Sequence, residues 1–237
     1  MVSIDTVYQK VLNLANKEQR GYITPQEFNL YADQAQKEIF EQYFYDLNQF
    51  LRVPGNSEEY AGITSNLREK IAIFENTGTI VANTITPIAG DVFYRLGEVI
   101  SLDPQVAPEN ILVEEIQHSD AVYLSSSLLN PFHNFKFPVY VRDGAMGLTI
   151  LPTSTTANYS CRYTRIPTTP SWGYFVISGK ALYDPDLTKT THFELHPSDE
   201  SELVYKILKF AGISMKAIDI MRAGQIQEQS QVQQEKQ

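Results

Sequence analysis

The segment His192-Phe193-Glu194-Leu195-His196 places two imidazoles and a carboxylate at alternate positions. Alternate residues of a β-strand share a face, so His192, Glu194 and His196 could together ligate a zinc ion. The same spacing is expected on the solvent face of an antiparallel strand, where polar and buried residues alternate. Asp184-Pro185-Asp186 brings two more carboxylates close together. The intervening proline favours a turn, in which paired acids are solvated rather than arranged for acid–base work. Asn16 to Phe28 has the outline of a calcium-binding EF-hand loop, with Asn16, Glu18 and Arg20 at the alternating ligand positions, Gly21 at the sharp turn and Glu27 at the closing position. Arg20 sets a cation where a carboxylate should meet the metal. The same residues also describe a helix start, with Thr24 as N-cap, Pro25 at the first helical position and Glu27 completing a capping box. Cys161 is the sole cysteine, which excludes an internal disulfide and a cysteine-built metal site. Its place in a strand pattern marks it as a small apolar core residue. The chain contains no GxSxG elbow, no glycine-rich phosphate loop after a strand and no HExxH. The expectation is a non-enzymatic protein with no catalytic residue, metal or cofactor.

Composition narrows the partners. With 28 acidic against 19 basic side chains the formal charge is −9, which disfavours nonspecific binding to phosphate backbones. A length of 237 residues, 43% of them hydrophobic, is enough to bury a sizeable core, as one domain with an appendage or as two small ones. No basic-then-apolar leader opens the chain and no apolar run approaches the ~18 residues needed to span a bilayer. The protein is expected to be soluble where it is made, with no membrane partner.

Helical spacing dominates the first third. Val7, Val11 and Leu14 fall on one face of a short first helix capped by Ser3 or Asp5. A second, long helix runs from Pro25 to about Leu51, its stripe formed by Phe28, Ala32, Ala35, Ile39, Tyr43, Leu47 and Phe50 and widened by Phe40, Phe44 and Leu51. A face that broad packs under a sheet and against a third helix, or leaves Phe40, Tyr43, Phe44 and Tyr45 to cover a neighbouring subunit. The third helix, capped by Ser57, carries Tyr60, Ile63, Leu67, Ile71 and Phe74 and ends near Thr77 and Gly78.

From Thr79 the residues become β-branched, and strands are expected over 80–88, 92–102 and 111–116. A short helix follows from Ser119 or Asp120 through Leu124, then a loop over 125–135. The stretch from Phe137 to Tyr174 reads as a hairpin turning at Asp143 to Gly147, then a third strand through Tyr159, Cys161 and Tyr163. Pro138, Pro152, Pro167 and Pro170 mark strand ends, since proline cannot donate to a ladder. A further hairpin turns at Ser178-Gly179-Lys180, and 191–195 supplies one more strand. Ser198 caps a helix with Leu203, Ile207, Leu208 and Phe210 facing inward, closed by Gly212, and a shorter piece spans 214–223. Seven of the last thirteen residues are glutamine, a composition that cannot order itself.

Together these predict an α+β fold: an N-terminal helical bundle (1–78), a central antiparallel β-sheet or small sandwich (79–197), C-terminal helices packing on the core (198–224) and an extended Gln-rich tail (225–237).

Several stretches resemble virion structural proteins of tailed, crAss-like bacteriophages. They are NKEQRGYITPQEFNLYADQAQ, a VEEI stretch before a Pro-Val-Tyr-Val strand, PSWGY after a Tyr-Thr-Arg-Ile-Pro strand, and HFELHPSDESELVYKILKFAGISMK. The order of helices, small sheet, Leu-Thr-Ile-Leu-Pro and Tyr-Thr-Arg-Ile-Pro also looks like the head–tail adaptor or tail-tubular proteins of short-tailed phages. The resemblance implies a structural protein of the virion, at the head–tail junction or tail, made in the host cytoplasm. It implies a neck ring of twelve copies that binds portal and tail proteins and passes DNA without binding it specifically. Under that reading Trp172, Tyr174, Tyr43, Phe44, Tyr45, Gln225, Gln227 and Gln229 are candidate subunit-interface residues, although Trp172 and Tyr174 fit a core role equally. A receptor- or carbohydrate-binding module, with Trp172 and Tyr174 as a sugar-stacking platform, is the alternative.

Overall fold

The structure, a computed structural model, describes residues 1–17, 23–52, 58–102, 111–126, 138–151, 158–186, 188–214, 226, 229 and 230. The fold mixes helix and strand, as expected, in two compact units: Met1–Ile73 together with Pro167–Gln237, and Phe74–Ile166.

The first unit is helical. Helices α1 (Ile4–Lys17), α2 (Pro25–Arg52) and α3 (Glu58–Ala72) are joined by α5 (Glu200–Ser214) from the far end of the chain. The capping box at α2 forms: Thr24 N–H donates to Glu27 Oε2 at 3.0 Å, and Glu27 N–H donates to Thr24 Oγ1 at 3.3 Å. Glu27 is thereby used in helix initiation, while Glu18, Arg20 and Gly21 of the EF-hand outline lie outside the described residues. The expected stripe of α2 is buried from Phe28 through Tyr43, with Gln36 added to it, and Leu51 at its end is exposed. Helix α5 follows a 3-10 turn, Pro197–Asp199, whose N-cap is His196, and it runs past Gly212. The piece expected over 214–223 lies, apart from Ser214, outside the described residues.

The second unit is a closed barrel rather than an open sheet or sandwich. Its strands are β1 (Glu75–Val81), β2 (Thr84–Thr86), β3 (Phe93–Ser101), β4 (Ile111–Glu115), β5 (Val139–Asp143), β6 (Gly147–Leu151) and β7 (Tyr159–Arg165), in the spatial order β1-β2-β6-β5-β4-β3-β7. The expected single strand over 80–88 is two strands. Ala82 and Asn83 take φ of 49° and 62°, the conformation of a two-residue hairpin turn. The β5–β6 hairpin forms as read, Val139 opposite Leu151 through Asp143 opposite Gly147. The third strand of that stretch does not extend it: β7 lies between β1 and β3, with Cys161 opposite Gly78 on one side and Val99 on the other. The sheet is also not wholly antiparallel, because β4 and β5 pair in parallel. A closed sheet leaves no unpaired edge. Its inward residues, Ile80, Ile85, Val99, Val113, Leu148, Ile150, Cys161 and the rings of Tyr140, Tyr159 and Tyr163, form one buried cluster. The 9-residue helix α4, His118–Ser126, belongs to this unit.

The β region expected over 79–197 is therefore divided. Strand β1 starts earlier, at Glu75, and everything after Ile166 groups with the helices. The reason is local anchoring: Ser171 and Thr191 exchange backbone hydrogen bonds, Val2 and Phe193 do the same, and Thr168 O accepts from Gln36 Nε2 at 2.8 Å.

Candidate assembly surfaces

The HFELH segment is not a ladder strand. Thr191 and Phe193 make isolated bridges, and Phe193, Glu194 and Leu195 are all buried, so the face alternation needed for a metal triad is absent. Each polar member goes its own way. His192 Nδ1 accepts the Ile4 N–H at 3.3 Å at the start of α1. Glu194 Oε2 accepts the Thr168 N–H at 2.9 Å, and its own N–H donates to Gln36 Oε1 at 3.1 Å. His196 Nδ1 accepts the Ser198 N–H at 3.2 Å. Among the described residues no cluster of His, Cys, Asp or Glu has the arrangement of a metal site. Asp184 and Asp186 sit in a turn: Asp184 Oδ1 accepts the Asp186 N–H at 3.2 Å, and Asp184 Oδ2 meets Lys189 Nζ at 2.8 Å. The Lys189 hydrogen bond, then that from the Asp186 backbone, hold the Asp184 carboxyl below its ordinary value. Burial raises the Cys161 thiol, the state of a core residue rather than a nucleophile.

A polar hub lies where α2, α3 and the 3-10 turn meet. The buried carboxylate of Asp199 accepts from Tyr43 Oη at 2.5 Å, Lys70 Nζ at 2.6 Å and Ser198 Oγ at 3.1 Å. The Lys70 ammonium lies 5.6 Å from the centre of the Tyr43 ring. An adjacent cavity of about 420 Å³ is lined by Ile63, Leu67, Lys70, His196 and Ser198 among others. Lys70 and Ser198 are already committed to Asp199, so the hub orders the helices rather than presenting free donors.

Trp172 is not an interface anchor or a sugar platform on this chain, because only 2% of it is exposed. Its N–H donates to Asn29 Oδ1 at 2.8 Å and its indole Nε1–H to Asp5 Oδ1 at 3.0 Å. Its ring stacks with Tyr174 and Tyr183 at centroid distances of 5.8 and 5.9 Å and meets Tyr8 at 4.3 Å. Tyr43 is likewise buried, and Phe44 is half-buried edge-on to Phe40. Of the other expected interface residues, Tyr45 is 68% exposed and Tyr174 half-buried. Gln229 is exposed on a helical turn, whereas Gln225 and Gln227 lie outside the described residues.

The Trp172 stack is the root of a feature that the candidate residues missed. Strands β8 (Tyr174–Ile177) and β9 (Lys180–Tyr183) form a two-stranded sheet of their own, turning at Ser178 and Gly179 with φ of 51° and 78°. The cross-strand pair Tyr174 and Tyr183 covers the indole. Beyond that root Phe175, Val176, Ile177 and Leu182 are 42%, 63%, 55% and 45% exposed. Consecutive residues of a strand point to opposite faces, so both faces of this arm are apolar. The signal in the sequence was the unalternated run Phe-Val-Ile, which has no polar face to turn to water. A lone hairpin is marginal in water. The Trp172 stack secures one end, and the other end shows solvent the kind of surface that contacts between proteins cover.

No protein-family model matches the chain, and no curated protein matches it. Among the described residues no helix is long and apolar enough to cross a membrane.

Proposed function

We propose that this chain is a non-enzymatic structural subunit of a tailed-bacteriophage virion that forms a head–tail connector, or neck, ring between portal and tail. The observation that carries the reading is the β8–β9 arm, whose root is fixed by Trp172 while Phe175, Val176, Ile177 and Leu182 are held out to solvent. An apolar projection anchored at its root gives a subunit one of the two unlike surfaces that a head-to-tail ring contact joins. The resemblance of the chain to crAss-like virion proteins and short-tailed phage adaptors supplies the place in the particle. The charge supports a conduit: a −9 subunit repeated around a bore surrounds DNA with negative potential and gives it nothing to bind.

The test is the mass of the purified protein by light scattering or native mass spectrometry, alone and mixed with the portal protein of the same phage. The expected result is a ring in at least one of the two conditions. A monomer that ignores the portal overturns the proposal.

A further inference from the structure

We infer that the arm of one copy docks face-on against the outside of β3 and β4 in the barrel of the next copy. The inference rests on the connector-ring reading and assigns the contact that closes the ring.

On the arm, Phe175 opposes Leu182 and Ile177 opposes Lys180. These four share the face opposite to Tyr174 and Tyr183, so the surface turned away from the Trp172 root is an apolar rung followed by a rung that ends in a cation. On the barrel, Val99 and Val113 are paired and point inward, 1% and 3% exposed. The neighbouring pair, Ile100 opposite Leu112, therefore faces out, and Leu112 is 61% exposed. On the other side of the inward pair stand Glu98 and Glu114, both exposed. The barrel face is thus an apolar rung with an exposed carboxylate on each strand just beyond the inward pair, where the β3–β4 ladder ends. Apolar rung meets apolar rung, and Lys180 meets Glu98 and Glu114.

Two further facts favour this occupant. A protein of charge −9 repels its own copies, and a contact between copies needs a cation where acids converge. Lys180 sits within the apolar arm and supplies it. Barrel closure also leaves no edge onto which a foreign strand could add, so approach is face to face, as when two sheets pack ~10 Å apart. Arm and barrel face are unlike surfaces, and a head-to-tail contact between unlike surfaces closes into a ring when the rotation permits.

The experiment uses the full chain. Cys161 is buried, so introduced cysteines dominate surface oxidation. The double variant Phe175→Cys/Leu112→Cys is expected to give a ladder of disulfide-linked multimers on non-reducing gels, and each single variant none. Lys180→Glu is expected to abolish assembly by light scattering, and adding Glu98→Lys and Glu114→Lys to it to restore assembly. Trp172 fluorescence checks that the helical unit of each variant is folded, and hydrogen exchange of the β7 amides checks the barrel. Rings that persist in Lys180→Glu, with no ladder from the double variant, overturn the docking and leave the connector reading standing. Covalent dimers from Phe175→Cys alone show arm pairing with arm and also overturn it. A wild-type chain that stays monomeric with and without portal overturns both.

Discussion

Among the described residues the buried carboxylate and ammonium side chains, Glu194, Asp199, Glu202 and Lys206, all belong to the helical unit. The buried cluster of the barrel is aliphatic and aromatic, with Cys161 at its centre and tyrosines whose hydroxyls lead outward. The two units face different problems. A strand in a closed barrel is fixed in register by its ladders, since a slip of one residue would turn every inward side chain out. Helices packed through broad apolar stripes can slide, and a buried ion pair with one satisfied geometry selects one arrangement. In this protein Lys206 of α5, 1% exposed, reaches Gln42 Oε1 at 3.3 Å and Glu38 Oε1 at 3.7 Å, both on α2, beside Glu202 of its own helix at 3.5 Å. Asp199 joins Tyr43 of α2 to Lys70 of α3 in the same way.

The largest expected effect breaks that device. Asp199→Ala leaves Lys70 and Tyr43 without their carboxylate and should cost about 3–5 kcal/mol. The midpoint of Trp172 fluorescence in a thermal melt should fall by roughly 10 °C. Trp172 is the sole tryptophan and lies in the helical unit, so this probe reads that unit. Hydrogen exchange of the β7 amides, which reads the barrel, should change little.

A smaller pair of effects asks the same substitution of both units. A Cβ on Gly78 would stand 2.9 Å from Thr86 O and 3.0 Å from the Tyr163 ring, so Gly78→Ala should destabilise the barrel by about 1–3 kcal/mol and speed exchange in β1 and β7. Gly62 in α3 has open space at the same point, and Gly62→Ala should stabilise the helical unit by about 0.5–1 kcal/mol. Thr24→Ala removes the reciprocal cap of α2 and should cost about 1 kcal/mol in a denaturant titration followed through Trp172.

The last prediction concerns acid. Burial pushes the Asp91 carboxyl up, but hydrogen bonds from Tyr163 Oη and Asn76 Nδ2, both at 2.6 Å, and the nearby Arg165 guanidinium bring it below its ordinary value. A carboxylate with a depressed folded value stabilises fully above the ordinary carboxylate range, and that contribution is lost as pH falls through the folded value. Protection of β1 and β7 amides should therefore weaken in acid, and Asp91→Asn should flatten this dependence. An unchanged acid response in Asp91→Asn would locate the sensitivity elsewhere.

Much of the secondary structure was legible because it is written in local patterns. The Thr24 to Glu27 box, the stripe of α2, the Asp143 to Gly147 turn and the Ser178-Gly179 turn all depend on residues a few positions apart. The hairpin at Ala82 and Asn83 was read through as one strand, because neither residue is glycine and the β-branched run continues on both sides. HFELH looked like a site because period-two spacing specifies a shared face only inside a ladder, and that segment makes isolated bridges. The aromatic members of the candidate interface set include Trp172 and Tyr43, which are core, and the set contains neither the exposed Leu112 nor the exposed aliphatics of the arm.

The sequence by itself determined the main helices, the β5–β6 and β8–β9 hairpins and strand β7, the apolar stripe of α2, that Cys161 is core and that the chain is strongly acidic. These follow from spacing, caps and charge, which act between near neighbours or sum over the chain. Only the tertiary structure decided that β7 pairs with β1 and β3, that the sheet closes with a parallel β4–β5 contact, that Lys70 and Tyr43 converge on Asp199, and that the apolar arm projects from a buried Trp172. Strand pairing and burial depend on contacts between residues 25 to 190 positions apart, from Glu114 with Val139 to Lys10 with Glu200, and no local pattern encodes which distant partner a face will meet.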